Sequence, residues 1–185
     1  MKEKKVMNLN SLISQIENGK TFDYLYFWMH EEKNENITKC CLSQWYPSPF
    51  TVNNILYPTA EHWMMASKAK LFQDDQSFLQ IINSNHPKEV KTIGRKVKNF
   101  CEVTWSKECI KIVTQGNFEK FKQNPKLKEF LLLTNDSVLV EASPYDKIWG
   151  IGLNENNHLV KNPKTWKGTN FLGFALMDVR ELLKS

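Results

Sequence analysis

Cysteine is scarce: the 185 residues hold four, Cys40 and Cys41 side by side and Cys101 and Cys109 further along. No C-x-x-C pair exists to hold zinc or cycle a disulfide. All four are expected to be reduced and buried as small hydrophobes, and none to be a catalytic thiol. No stretch approaches ~20 consecutive apolar residues, which excludes a membrane-spanning helix. The opening Met1-Lys2-Glu3-Lys4-Lys5 leads into Asn8, Asn10 and Ser11 rather than a signal-peptide apolar core, so a cytoplasmic protein is expected. With seven Gly and seven Pro there is no linker, repeat or low-complexity tract. One soluble globular domain is the economical expectation.

Several catalytic signatures are also missing. There is no phosphate-binding G-x-x-x-x-G-K-[ST] loop, no G-x-S-x-G elbow, no H-E-x-x-H and no EF-hand pattern. Gly150-Ile151-Gly152 lacks the third glycine of a dinucleotide fingerprint and the helix that should follow it. The four histidines are scattered, His62 beside Glu61 and His30 beside Glu31 far apart in the chain, so neither a metal nor a cofactor is expected.

What the chain does have is enough apolar material for its own core: 41% hydrophobic residues and 12% aromatic. A chain this long should bury about 70% of its unfolded surface. The formal charge of +5 is unevenly spread. Between His86 and Lys128, eleven Lys and Arg, among them Arg95, Lys98 and Lys120, face four acids. That excess suits either a solvated lysine-rich surface or a phosphate-bearing ligand. The interleaved Phe100, Trp105, Phe118 and Phe121 have core-like spacing and do not decide between them.

Periodicity predicts a short helix around Leu9, Leu12, Ile13 and Ile16, ended by Asn18-Gly19, then an aromatic strand over Phe22–Met29. Ile37–Leu42 could pair with that strand across the polar Glu31–Asn36 turn. Asn53-Asn54 reads as a hairpin turn, because Asn tolerates positive φ, and Thr59 as a helix N-cap. Helices follow over Thr59–Leu71, Asp75–Asn83, Pro87–Val97, Thr104–Lys122 and Pro125–Leu133. Ser137–Ala142 returns to strand character. Ser143 to Lys167 is too long for an ordinary connection and is a candidate functional loop. Leu172, Ala175, Leu176, Val179, Leu182 and Leu183 form the apolar stripe of a last helix, with Asn170 as its expected cap. The fold class is α+β: a single helix-rich domain with a small, mostly antiparallel sheet. Residues 1–20 read as a helical N-terminal extension and 21–185 as the domain proper.

Three places could carry chemistry. On a helix beginning at Thr59, Glu61, Met65, Lys68 and Phe72 fall within about 40° of one line, and Glu61 and Lys68 lie about 10.5 Å apart along the axis. That spacing suits flanking a bound small molecule. A first-turn Glu and a snorkelling Lys are the plainer alternative. Asp146 at a strand end, followed by Trp149, Gly150 and Gly152, combines an acid, a stacking ring and permissive backbone. Ser-Pro-Tyr-Asp is equally an ordinary turn. The Gly168–Leu172 helix start offers N–H groups for an anion, as many helix starts do to water alone.

Taken in order, these segments resemble the NADAR family of YbiA-like N-glycosidases. The resemblance runs from about Phe27 to Leu183 and rests on Cys41–Phe50, Pro58-Thr59-Ala60-Glu61-His62-Trp63 with Lys68, Gly94-Arg95, Trp105, Lys120-Phe121, Leu139–Pro144, Asp146, Trp149–Leu153 and Gly168–Gly173. It implies the family's fold, proposed roles in NAD and ADP-ribose metabolism, and cleavage of the bond between ribose C1 and a base nitrogen. The implied substrates are phosphoribosylamino-pyrimidine intermediates of riboflavin synthesis, or ADP-ribosylated guanine in DNA or RNA, with no membrane and no obligate protein partner. Carried over by position, the family's active-site residues fall on Glu61, Trp105, Asp146 and Trp149, and Lys68 matches its lysine. Two departures stand out: Gln44 where the family often has Asn, and Cys109 where it often has a basic residue.

N-glycoside cleavage builds positive charge at C1′ and negative charge on the base, which calls for an anion beneath the sugar and a donor toward the base. Glu61 or Asp146 would stabilise the cation and activate water, the other orienting ribose or protonating the base, while Trp105 or Trp149 stacks it. Lys68 could instead attack C1′ of the opened sugar as an amine. Arg95 and the Gly168–Asn170 helix start are the phosphate candidates, and Gly150, Gly152 and Asn170 are counted with Trp105, Trp149 and Arg95 as substrate-binding residues. A non-catalytic module that binds ADP-ribose or another NAD derivative is the alternative, though it would need neither acid nor Lys68.

Overall fold

The computed structural model describes residues 8–32 and 36–184. Among these residues, seven α-helices surround two strand pairs: α1 (Leu9–Glu17), β1 (Tyr24–Phe27), β2 (Phe50–Val52), β3 (Ile55–Tyr57), α2 (Ala60–Leu71), α3 (Asp75–Asn83), α4 (Pro87–Gly94), α5 (Glu102–Gln123), α6 (Pro125–Leu133), β4 (Val138–Glu141) and α7 (Phe171–Lys184). The helix-rich α+β class is as the sequence predicts. β2 and β3 form the antiparallel hairpin, with Asn53 at φ 50° and Asn54 at φ 62° supplying the left-handed turn that matches strand twist.

The partner of β1 differs from expectation. Lys39–Leu42 is a 3-10 turn capped by Thr38, not a strand, and β1 pairs in parallel with β4, Tyr24 opposite Val138 through Phe27 opposite Glu141. β4 is a Val-Leu-Val run with all three residues buried, as a strand covered on both faces requires. The expected Glu31–Asn36 turn, like the start of the N-terminal extension, lies partly outside the described residues.

α2 is the central helix. It buries Ala60, Glu61, His62, Trp63, Met64, Met65, Ala66 and Ala69, so it presents no solvent face over most of its length. The Thr59 hydroxyl accepts the His62 N–H at its N-terminus, and His62 itself is a core residue, its ring bonded to Thr59 Oγ1 at 2.8 Å and to the Ser84 carbonyl at 3.1 Å. Gly116 of α5 admits the Trp63 ring, which a Cβ there would meet at 2.1 Å. α5 also packs on α7, and α7 on β4. Each fully buried large side chain, Phe27, Phe121 and Leu176 among them, contributes about 1.5–3 kcal/mol.

Four surface details depart from the sequence reading. Cys101 is exposed rather than buried, because it is the N-cap of α5 and points off the core. Cys40 is only half-buried. Leu182 of the terminal stripe is also exposed. Lys120, counted among the basic surface, is wholly buried. No helix among the described residues is long and apolar enough to cross a membrane.

Candidate active site

Side chains from α2, α4, α5, the end of β4 and the loop after it converge on one cavity of about 650 Å³. Glu61 enters from the first turn of α2 and is only 2% exposed. Its backbone N–H donates to the Gln44 carbonyl at 3.0 Å, and the Trp45 side chain hydrogen-bonds its carboxylate, leaving Oε1 buried without a partner. Burial pushes this carboxyl up to about 7, against the pull of Lys91, Trp45 and Arg95, while Asp146 pushes it further up.

Met65 and Lys68 continue the same face of α2 into the cavity, as the helical wheel predicts; Phe72 lies outside the cavity wall and packs on Phe100 at 5.2 Å. Lys68 Nζ donates to the Gly94 carbonyl at 2.8 Å and sits over the rings of Phe100 (4.2 Å) and Trp105 (5.5 Å). Its partial burial lowers its pKa. Trp105 therefore belongs to the cavity wall, although its aromatic spacing resembled a core pattern.

Asp146 both forms the turn and lines the cavity. Its Oδ1 accepts the N–H groups of Ile148 at 2.9 Å and Trp149 at 2.8 Å, which fixes the carboxylate while leaving it on the cavity wall beside Trp149. Trp149 is held edge-on by Phe171 at 6.2 Å. Arg95, at the C-terminus of α4, lines the same cavity.

Gly150, Gly152 and Asn170 are not part of this wall. A Cβ on Gly150 would lie 2.8 Å from the Glu141 carbonyl, so the glycine lets the loop cross the end of β4; Gly152 takes φ 65°. Asn170, fully buried, spends its side chain on β4, donating to Leu139 O at 2.9 Å and accepting from Glu141 N at 2.9 Å. It is thus a brace rather than a side-chain cap. The expected anion site at this helix start is also closed, because the N–H groups of Thr169, Asn170, Phe171 and Leu172 go to the carbonyls of Lys147, Gly150, Ile148 and Trp149.

Sequence reasoning missed Glu141, Lys91 and Trp45, all of which line the cavity. Glu141 ends β4, and its carboxyl is pushed up to about 8 by burial and by Asp146, with Lys91 opposing and Glu61 adding to the rise. An acid directly after a Val-Leu-Val strand was the available signal. Lys91 Nζ lies 5.8 Å from the Trp45 ring centroid. Among the described residues no group of His, Cys, Asp and Glu is arranged to hold a metal ion.

The family model of the NADAR domain matches residues 26–184. The chain belongs to the NADAR family. N-glycosidase R617 of Acanthamoeba polyphaga mimivirus is 40% identical over 161 residues, covering 84% of this chain and 95% of that protein. N-glycosidase YbiA of Shigella boydii is 30% identical over 135 residues, 73% of this chain and 76% of that protein. The NMR structure of E. coli YbiA shares the fold, with a TM-score of 0.71 at 24% identity, over 89% of this chain and 87% of that one. The two departures from the NADAR pattern now have positions. Gln44 is buried and its side chain accepts from Asn117 at 2.8 Å, while Cys109 is buried in α5 away from the cavity wall.

Proposed function

We propose that this protein hydrolyses the bond between ribose C1 and a base nitrogen in an ADP-ribosyl or phosphoribosyl substrate, either ADP-ribosylated guanine in nucleic acid or a riboflavin-pathway phosphoribosylamino-pyrimidine. It is a hydrolase acting on N-glycosyl bonds. The observation that carries this is the buried Glu61 carboxylate, with a partnerless oxygen, in the wall of a nucleotide-sized cavity. A module that only bound ADP-ribose would lose affinity by burying an acid beside phosphates; a glycosidase needs that acid at C1′.

Ionised Glu61 stabilises the cation growing at C1′ and takes the proton of the attacking water. Asp146, its orientation fixed by two backbone N–H groups, holds the ribose hydroxyls. Trp105 or Trp149 stacks the base. Arg95 and Lys91 serve the phosphate, and Lys68, about 10 Å along α2 from Glu61, supplies a further cation. The test is to incubate the protein with an ADP-ribosylated guanine oligonucleotide and, separately, with the phosphoribosylamino-pyrimidine, following release by mass spectrometry beside Glu61→Gln. Release that Glu61→Gln abolishes supports the proposal. Silence on both, with ADP-ribose still raising the melting temperature, supports the binding module instead.

A further inference from the structure

Cleavage leaves one demand unmet by Glu61 and Asp146: the departing base nitrogen needs a proton. The geometry points to Glu141 as a further catalytic residue, the acid that supplies it, a role that rests on the hydrolase function proposed above. Its carboxyl lies on the cavity wall, and Oε2 is buried with no hydrogen-bond partner. Its backbone is held on both sides, N–H to Asn170 Oδ1 at 2.9 Å and carbonyl from the Ile151 N–H at 2.9 Å, so the side chain projects from a fixed point. A buried, partnerless carboxyl oxygen is costly unless a ligand meets it, and a neutral carboxylic acid can donate where a carboxylate cannot.

The charges around it keep it neutral. Glu61 reaches it from α2 and Asp146 from the following loop, both raising its pKa, and Lys91 from α4 is the opposing cation. With the carboxyl pushed up to about 8, Glu141 carries its proton at neutral pH, while Glu61, at about 7, is ionised in an appreciable fraction. In the reaction the C1′–N bond breaks with its electron pair on nitrogen, which takes the Glu141 proton. Water forms the new C1′–O bond and gives its proton to Glu61. Exchange with solvent returns that proton to Glu141, so atoms and charge balance.

The experiment compares the wild type, Glu141→Gln and Glu141→Asp on whichever of the two probes the wild type cleaves, as kcat and KM across pH 5.5–9.5, with melting curves to establish folding. Glu141→Gln is expected to lose about 100-fold or more in kcat, with KM changed little, and to lose the alkaline fall in rate. Glu141→Asp, which keeps the acid, should retain that alkaline fall at an intermediate rate. A ¹³C-glutamate NMR titration of the wild type should show one carboxyl still protonated above pH 7 and absent from Glu141→Gln. Retention of kcat within 10-fold by Glu141→Gln, or no such protonated carboxyl, overturns the role of Glu141 while leaving the hydrolase proposal standing. A wild type inactive on both probes overturns the hydrolase proposal, and this role with it.

Discussion

Lys120 donates to the Ser43 carbonyl at 2.8 Å from inside the core, tying α5 to the loop that delivers Trp45 to Glu61. Asn117 reinforces the tie through Gln44, and Asn124 through the Pro49 carbonyl. The buried polar side chains of α5 therefore set the position of a loop that the Glu61 carboxyl leans on. Burial lowers the Lys120 ammonium to about 8, so keeping it has a stability cost that an apolar residue would not carry.

Lys120→Met should consequently lower turnover about 10- to 100-fold while shifting the melting temperature at pH 7 by only a few degrees. Rates normalised to folded protein, alongside melts, check this. Full activity in a folded variant would mean the loop holds its place without the lysine.

Glu61→Gln and Asp146→Asn should each reduce turnover by about 1000-fold or more, with far-UV circular dichroism unchanged, since both substitutions keep size and shape. Near-normal rates in both would remove these carboxyls from the reaction.

The pH dependence of stability has a definite sign. Glu61 and Glu141 are raised from 4.5 to about 7 and about 8 in the folded state. Folded-state stability from burying them neutral is complete below pH 4.5 and is lost as pH rises through those values. Glu61→Gln should therefore be more stable than the wild type at pH 8.5, by on the order of 1–3 kcal/mol and with a higher melting temperature, and no more stable than it at pH 4.5. Equal melting temperatures at both pH values would show that water reaches the carboxylate in the resting protein.

Gly173 lies against β4, where an added Cβ would sit 2.0 Å from the Leu139 carbonyl oxygen. Backbone cannot yield as a side chain does, so Gly173→Ala should destabilise the protein by about 1–3 kcal/mol. Denaturant unfolding measures the loss, and an unchanged midpoint would contradict the tight seat of α7 on β4.

Where local chemistry decides the structure, the sequence was informative. Asn53 and Asn54 announced their turn because few other residues accept positive φ, and Pro87 and Pro125 marked helix starts because they lack an N–H there. Glu61 and Lys68 could be put on one helical face by periodicity alone. The pairing of β1 with β4 was not legible, since nothing in Tyr24–Phe27 encodes a partner at the far end of the chain. Asn170 was misread for the same reason: its partners, Leu139 and Glu141, lie on another element. Trp105, Trp149 and Asp146 drew their assignment largely from the family resemblance, and the burial of Lys120 could not be inferred from its charge.

The parallel union of β1 with β4 also governs how the protein comes into being. Tyr24 pairs with Val138, and Glu141 takes its backbone brace from Asn170, at the entrance to α7, so both contacts join segments far apart in the chain. Contacts between such distant segments form late and slowly in folding. Glu61, Asp146 and Glu141 therefore share a cavity only once these distant segments have met, so the proposed reaction should require the fully folded molecule.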